Sequence, residues 1–385
     1  MELFQENQAS ALLEMQNISR AFGATQALKN VSCKVYAGKV HALIGENGAG
    51  KSTLMKILAG VYLPDSGEMF LANAPYKPAS PLAARKAGIC MIYQELALVP
   101  HLSVAENIFL GIEPQQGGFL KKKTMLKRAS EALALLGSSA IKPDAPVKNL
   151  SPAECQITEI ARALVSGCKV LVLDEPTSSL NKDEIEYLFK IIFRLKAQGV
   201  GIIYISHFLE EVKQIGDSLT ILRDGCVVKC GEVSNITTAE IIKYMIGEKG
   251  YGVRRRVASC KNNTTSGAAA HSSETLLEIK NLSGIKKPSG ITLTLKRGEI
   301  IGIAGLMGAG RTELFRAIFG LDKIKSGEIK VASFTGNATP AERWQQGMGF
   351  LSEDRKNEGL ALKMSIAENI TLTNQKKLTR NGLLS

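Results

Sequence analysis

Short apolar runs closed by glycine-rich or polar turns recur along this chain, and each one predicts an element. Lys39 to Gly60, KVHALIGENGAGKSTLMKILAG, reads as an apolar strand, a glycine-rich loop and a helix. Val170 to Leu173 form a continuous apolar run, as expected of a parallel strand buried on both faces. Val200 to His207, VGIIYISH, reads as another such strand, and a further short apolar stretch leads into Gln94. One segment breaks the pattern. Gly250 to Glu274 is rich in Gly, Ser, Asn, Thr and Ala with almost no large apolar side chains. It cannot bury enough surface to offset its ordering entropy and is expected to be a flexible linker. No run of eighteen apolar residues is present, so no segment is expected to span a bilayer.

The pattern also repeats itself. GENGAGKSTLMKILAGVYLPDSGE, Gly45 to Glu68, is echoed by GLMGAGRTELFRAIFGLDKIKSGE, Gly305 to Glu328, at an offset of 260. SVAENI from Ser103 returns as SIAENI from Ser365, and LEMQNI from Leu13 as LEIKNL from Leu277. Blocks in the same order with slightly drifting offsets predict two copies of one domain: 1–249 and 275–385, joined by 250–274. The length of 385 residues agrees, since a domain takes roughly 100–200 residues.

Composition changes the picture little. Hydrophobic residues make up 45% and charged ones 22%, which excludes a disordered or fibrous chain. The N-terminus, MELFQENQAS, lacks the basic start and apolar core of a secretory signal. Seven cysteines, at 33, 90, 155, 168, 226, 230 and 260, are odd in number and scattered. They read as buried or idle thiols of a reducing compartment, with neither disulfide nor zinc spacing. Lys and Arg exceed Asp and Glu by 48 to 36, a net charge of +12. The basic runs 121–123 and 254–256 are short and lack interleaved aromatics. The excess is therefore read as a solvated basic face with affinity for nucleotide phosphates, and no specific nucleic-acid partner is expected.

The chemistry lies at the ends of the predicted strands. Gly45, Gly50, Lys51 and Ser52 satisfy G-x-x-x-x-G-K-[ST] between a strand and a helix. The loop Gly45, Glu46, Asn47, Gly48, Ala49, Gly50, Lys51, Ser52, Thr53 can close its backbone N–H groups around phosphate, aided by the helix N-terminus. Lys51 would meet the β- and γ-phosphates, and Ser52 would hold Mg²⁺. Asp174 and Glu175 follow the apolar run at its carboxyl end, where open α/β sheets place ligands. One carboxylate can serve Mg²⁺ while the next polarises the attacking water. His207, one of four histidines, stands at another strand end and can reach the γ-phosphate or that water. Gln94 can sense both Mg²⁺ and water.

GENGAGKST, Gln94, LSPAECQ, LVLDEP, the SSLN turn and His207 follow the order and spacing of an ATP-binding cassette (ABC) ATPase, and the chain resembles that family. YQELALVPHLSVAENIFLG, AGLMGAGRTEL and SEDRKNEGL further resemble the tandem ATPases of bacterial ribose, galactose, xylose and arabinose importers. The resemblance implies an α/β P-loop NTPase fold with a helical subdomain at about 94–167. It implies ATP and Mg²⁺ as cofactors: Ser52, Gln94 and Asp174 on the metal, Glu175, His207 and Gln94 in catalysis, and Phe22 stacked on adenine. From sequence alone Phe22 could equally pack under the sheet edge. The implied partners are transmembrane sugar permease subunits, whose coupling helix would dock near Gln94, and indirectly an extracytoplasmic sugar-binding protein. The implied location is peripheral, on the cytoplasmic face of the inner membrane.

Departures from the family pattern matter as much. The signature stretch is LSPAECQ, which keeps Ser151 but replaces the glycines with Pro152, Ala153 and Glu154. The second loop keeps Gly305, Gly310 and Thr312 but carries Arg311 in place of lysine, and Glu353 stands where the first copy has Gln94. A planar guanidinium does not hold phosphate as an ammonium does. The pairing of Arg311 with Ser151 is therefore expected to hold nucleotide with little or no hydrolysis. Ser151, Asp174 and His207 follow Lys51 by 100, 123 and 156 residues; counted from Arg311, their equivalents fall near 411, 434 and 467, past Ser385. The second copy is thus expected to be incomplete, with its missing half encoded separately or replaced by a homodimer partner. The expected function is the energy-coupling ATPase of a monosaccharide importer. The alternatives are a non-hydrolysing nucleotide-binding remnant and a soluble cassette ATPase acting on nucleic acid or ribosomes; Arg311 and LSPAEC speak against the latter.

Overall fold

A computed structural model describes residues 10–94, 96–178, 180–247, 274–305, 308–352, 358–374, 379–380 and 383–384. The expected linker therefore lies outside the described residues apart from Glu274. Two compact units divide the chain, Met1–Thr264 and Thr265–Ser385.

In the first unit, β1 (Leu13–Phe22), β2 (Thr25–Val35), β4 (Ser66–Leu71) and β5 (Ala74–Pro75) form an antiparallel sheet in the order β2-β1-β4-β5. The strands predicted from apolar runs build a second sheet. It contains β3 (Val40–Ile44), β6 (Ile89–Ile92), β7 (Val170–Asp174), β8 (Gly201–Ile205), β9 (Ser218–Arg223) and β10 (Cys226–Glu232), in the order β10-β9-β3-β8-β7-β6. All its pairings are parallel except β9 with β10. Parallel strands need crossovers, and α1 (Lys51–Leu58), α2 (Pro81–Ala87), α3 (Val104–Phe109), α4 (Lys122–Leu135), α5 (Pro152–Val165), α6 (Lys182–Ala197) and α7 (Leu209–Ile215) supply them.

Alternation along the strands explains why the runs are apolar throughout. Val170, Val172, Ile203 and Ile205 pack with Leu54, Met55 and Ile57 of α1 and with the antiparallel sheet. Leu171, Leu173, Ile202 and Tyr204 face the other way, onto Phe109, Ile160, Phe189 and Ile192 of the helical layer. That layer is strongly capped: α3, α5 and α6 each begin with a capping box, on Ser103, Ser151 and Asn181.

His41 is buried inside β3, with Nδ1 2.8 Å from Ser218 Oγ and Nε2 3.0 Å from Thr220 Oγ1. Burial pushes its pKa down from 6.5 to about 4. The folded ring stays neutral while the unfolded chain takes up a proton. Stability from this site is thus complete above pH 6.5 and lost as pH falls to about 4, a change of about 3 kcal/mol. Urea midpoints taken across that window are expected to fall more steeply for the native chain than for His41→Asn.

The second unit contains β11 (Thr275–Gly284), β12 (Ile291–Lys296), β13 (Ile324–Val331) and β14 (Phe334–Thr335), in the order β12-β11-β13-β14, with α8 (Arg311–Phe319), α9 (Pro340–Gln345) and α10 (Ile366–Thr371). The order and pairing match those of β2-β1-β4-β5. Its core is small, built from Ile279, Leu282, Leu314, Ala317, Ile318, Ile329 and Val331. Among the described residues it has no parallel strand pairing. The segment before its glycine-rich loop, expected as a strand by analogy with β3, is not one. The consequence is exposure: Ile300 is 96% and Leu351 94% exposed, whereas their counterparts in the repeat, Val40 and Ile92, are 0% and 3%. A parallel strand is held on both edges, and among the described residues these two segments pair with none.

Candidate functional site

Four parallel strands end on one edge of the large sheet, and each delivers a candidate residue there. β3 runs into the glycine-rich loop, β6 into Gln94, β7 into Asp174 and Glu175, and β8 into His207.

The loop is shaped by missing side chains. Gly50, the N-cap of α1, has φ 103, and a Cβ there would meet Ala27 O and Leu28 Cδ2 at 2.7 Å. At Gly48, φ 84, a Cβ would meet nothing within 4 Å, so this glycine serves conformation alone. No side chain caps α1 and no acidic residue lies in its first turn. The first-turn N–H groups therefore face the loop, a setting suited to phosphate oxygens. Lys51 is buried and bends back over the loop, donating to Gly45 O at 2.7 Å and Glu46 O at 3.0 Å. Burial pulls its pKa down, and the charges of Glu175 and Asp174 partly restore it. Ser52 is exposed and Thr53 half-buried at the start of α1.

Asp174 is half-buried, and burial followed by the Glu175 charge raises its pKa against Lys51 and Lys56. A desolvated carboxylate beside a second one is a donor set that favours a divalent cation. Gln94 is exposed two residues past β6, on the strand next to β7, and its neighbour Tyr93 feels the Asp174 charge. Asp174 is thus a donor of the type that suits Mg²⁺, and the glycine cradle suits a triphosphate.

Glu175 has φ 47, a left-handed conformation costing about 1–3 kcal/mol for a non-glycine residue. Its N–H donates to Ile205 O at 3.0 Å, tying the end of β7 to the end of β8. This brings Glu175 Oε1 to 3.2 Å from His207 Nδ1. A carboxylate fixed at a strand end and bonded to an imidazole can take a proton from water.

Sequence reasoning missed what holds His207. Ser206 Oγ and Tyr204 OH each donate at 2.8 Å to Glu211 Oε2, and Phe208 N–H donates to Ser206 Oγ at 2.9 Å. This buried network fixes the turn, and the Phe208 ring lies 4.1 Å from the imidazole. Nothing in the sequence beyond a polar strand end signals it.

Two candidates are not gathered with the Lys51 cluster. Ser151 is bonded within its own helix cap: its Oγ accepts from Glu154 N at 3.3 Å, while its N–H donates to Glu154 Oε2 at 2.8 Å. Pro152 sits in the first turn of α5, as proline can. Phe22 meets Tyr62 edge-on at 5.1 Å under the Arg20 guanidinium, yet remains 40% exposed. In the second unit, Gly310 again caps a helix with φ 96, but Arg311 and Thr312 are exposed and Glu313 brings a negative charge into the first turn. That charge disfavours an anion where α1 has none. Gly305 precedes the loop, and Glu353 lies outside the described residues.

The sequence profile described as "ABC transporter" matches residues 28–178 and 288–382. A putative ribose/galactose/methyl galactoside import ATP-binding protein of Agrobacterium fabrum is 45% identical over 380 residues, 97% of this chain and 72% of that protein. A ribose import ATP-binding protein of Rubrobacter xylanophilus is 43% identical over 378 residues, with the same shares of each chain. Among solved structures, an ATP-binding cassette of an ABC transporter in its ADP conformation matches with TM-score 0.55 and 26% identity, over 64% of this chain and 99% of that one. The strand-end cluster, the parallel sheet that carries it and these relatives agree: the chain belongs to the ATP-binding proteins of the ABC transporter family.

Proposed function

We propose that the chain is the ATP-binding, energy-coupling subunit of a monosaccharide import system. The observation that carries this reading is the convergence of Lys51, Asp174, Glu175 and His207 at one sheet edge, in a chain whose relatives are named as sugar import ATP-binding proteins. Gly45 to Thr53 cradle the phosphates with Lys51 as counter-charge. Ser52, Gln94 and Asp174 hold Mg²⁺, which when bound neutralises charge on the phosphates. Glu175 accepts the proton of the attacking water, and His207 orients that carboxylate and reaches toward the γ-phosphate. Phe22 offers its free face to adenine, a contact worth about 1–3 kcal/mol by analogy with stacked bases in nucleic-acid complexes.

The reading divides the chain into a first cassette, 1–249, and a second cassette-like segment, 275–385, joined by 250–274. Gly305, Gly310, Arg311 and Thr312 are the second unit's counterpart of the 45–53 loop and are proposed to hold nucleotide with little or no hydrolysis. Arg311 in place of lysine supports the lack of hydrolysis, while the acidic first turn of α8 weakens the hold on phosphate. The exposed Ile300 and Leu351 leave strand-forming apolar surface uncovered among the described residues. No described helix is long and apolar enough to cross a membrane. The chain then works peripherally at the cytoplasmic face of the inner membrane, against permease subunits that receive sugar from an extracytoplasmic binding protein.

A tagged chain recovered from detergent-solubilised membranes is expected to bring a polytopic permease with it and to bind ATP. Lys51→Ala should weaken that ATP binding by at least about tenfold, roughly 1.4 kcal/mol. Recovery with ribosomes or nucleic acid, and no permease, would overturn the reading.

A further inference from the structure

Two thiols that look unrelated in sequence meet beneath a cleft in the first unit. Cys90 lies on β6, and Cys168 in the turn between α5 and β7. Lys169 and Val170 both donate to Gly88 O, at 2.8 and 3.0 Å, which folds that turn over the start of β6. Cys90 Sγ and the Cys168 N–H point at one acceptor, Ala163 O, at 3.9 and 3.3 Å, which brings the two residues together. A cavity of about 230 Å³ opens onto Cys90, with Arg85, Glu159 and Arg162 on its wall. Arg85 is held there by Ser166 Oγ at 3.0 and 2.7 Å, and Arg162 lies 3.9 Å from Glu159.

We infer that Cys90 and Cys168 form an oxidisable dithiol site that takes a peroxide through this cleft and closes to a disulfide. The surroundings separate the roles of the two sulfurs. The neighbouring Cys168 thiol draws the Cys90 thiol below its ordinary value against the opposing pull of burial, and Arg85 and Arg162 act in the same direction. The nearby Cys90 thiol and burial raise Cys168. Cys90 is thus the attacking thiolate and Cys168 the resolving thiol. By contrast, burial pushes Cys33 up to about 12 and also raises Cys155.

The chemistry balances without further reagents. Cys90 sulfur attacks one peroxide oxygen; an S–O bond forms, the O–O bond breaks, and the departing oxygen leaves as water. Cys168 sulfur then attacks the sulfenic sulfur; the S–S bond forms, the S–O bond breaks, and the thiol proton leaves with the second water. Two thiols lose two electrons and one peroxide becomes two waters. The product staples β6, which leads to Gln94, to the turn that feeds Asp174 and Glu175.

The test uses the intact native chain, brief exposure to hydrogen peroxide, alkylation of free thiols and peptide mapping without reductant. A Cys90–Cys168 linked peptide lighter by two hydrogens is expected. Loss of the Cys90 thiol should run faster than loss of Cys155, whose thiol burial raises. In Cys168→Ser, Cys90 should stop at a sulfenic acid that dimedone traps. Alkylatable Cys90 and Cys168 after peroxide, or oxidation that appears first at Cys155, Cys226 or Cys230, would overturn the assignment. The wild-type map decides by itself, so the result does not depend on any variant folding.

Discussion

Glu175→Gln is expected to lower ATP turnover by about 10²- to 10⁴-fold while leaving ATP affinity nearly unchanged. The amide keeps the shape of the side chain and its place beside His207 Nδ1, now 3.2 Å away, but it cannot take a proton from water. The phosphate cradle and Lys51 lie on a different strand end and do not depend on that carboxylate for their position. Phosphate release and equilibrium nucleotide binding, measured side by side, separate the two effects. An unchanged rate in the variant would remove Glu175 from the reaction. Tight binding with no turnover in the wild type would favour the non-hydrolysing alternative, in which the same cradle serves only to hold nucleotide.

Gly50→Ala is expected to have the second large effect, on stability and binding together. The added methyl would stand 2.7 Å from both Ala27 O and Leu28 Cδ2, in a backbone conformation at φ 103 that alanine avoids. Neither neighbour can yield easily: the first is backbone, and the second is a fully buried core side chain. The loop and the first turn of α1 must move, at a cost of about 2–3 kcal/mol, and the N–H groups aimed at phosphate move with them. Gly48→Ala is the internal control. Its methyl meets nothing within 4 Å, so it carries only the conformational cost of about 1–2 kcal/mol. Urea unfolding and titration with a fluorescent ATP analogue should rank the two variants in that order. Equal stability and equal affinity would mean that the packing around Gly50 does not set the loop.

Much of the site was legible because its chemistry is local. Gly45 to Ser52 must be contiguous to wrap phosphate, and Asp174 and Glu175 must follow an apolar strand to reach the sheet edge. The contact between Glu175 and His207 was only half legible. Two strand ends could be seen, but their adjacency depends on β7 pairing with β8. The left-handed turn at Glu175 and the Ser206–Glu211–Tyr204 network left no trace in the pattern, because hydrogen bonds between neighbouring turns impose no periodicity. Phe22 could be read two ways, and the fold grants something to each: one edge packs on Tyr62 while the ring stays partly exposed. The cysteines were read as buried or idle thiols and the described ones are free, but spacing does not reveal that Cys90 and Cys168 converge on one carbonyl.

The sequence by itself determined the α/β class, the order of the strand-end motifs, the internal repeat and the substitution at Arg311. All of these are written in contiguous residues or in fixed offsets. The tertiary structure decided which strand ends lie side by side, how Lys51 folds over its loop, and what happens to an apolar run without neighbours. Val40 and Ile300 occupy the same place in the repeat and are both strand-forming residues. One is sealed between two parallel strands and the other is open to water, because burial is a property of the partners a segment finds and not of the segment alone.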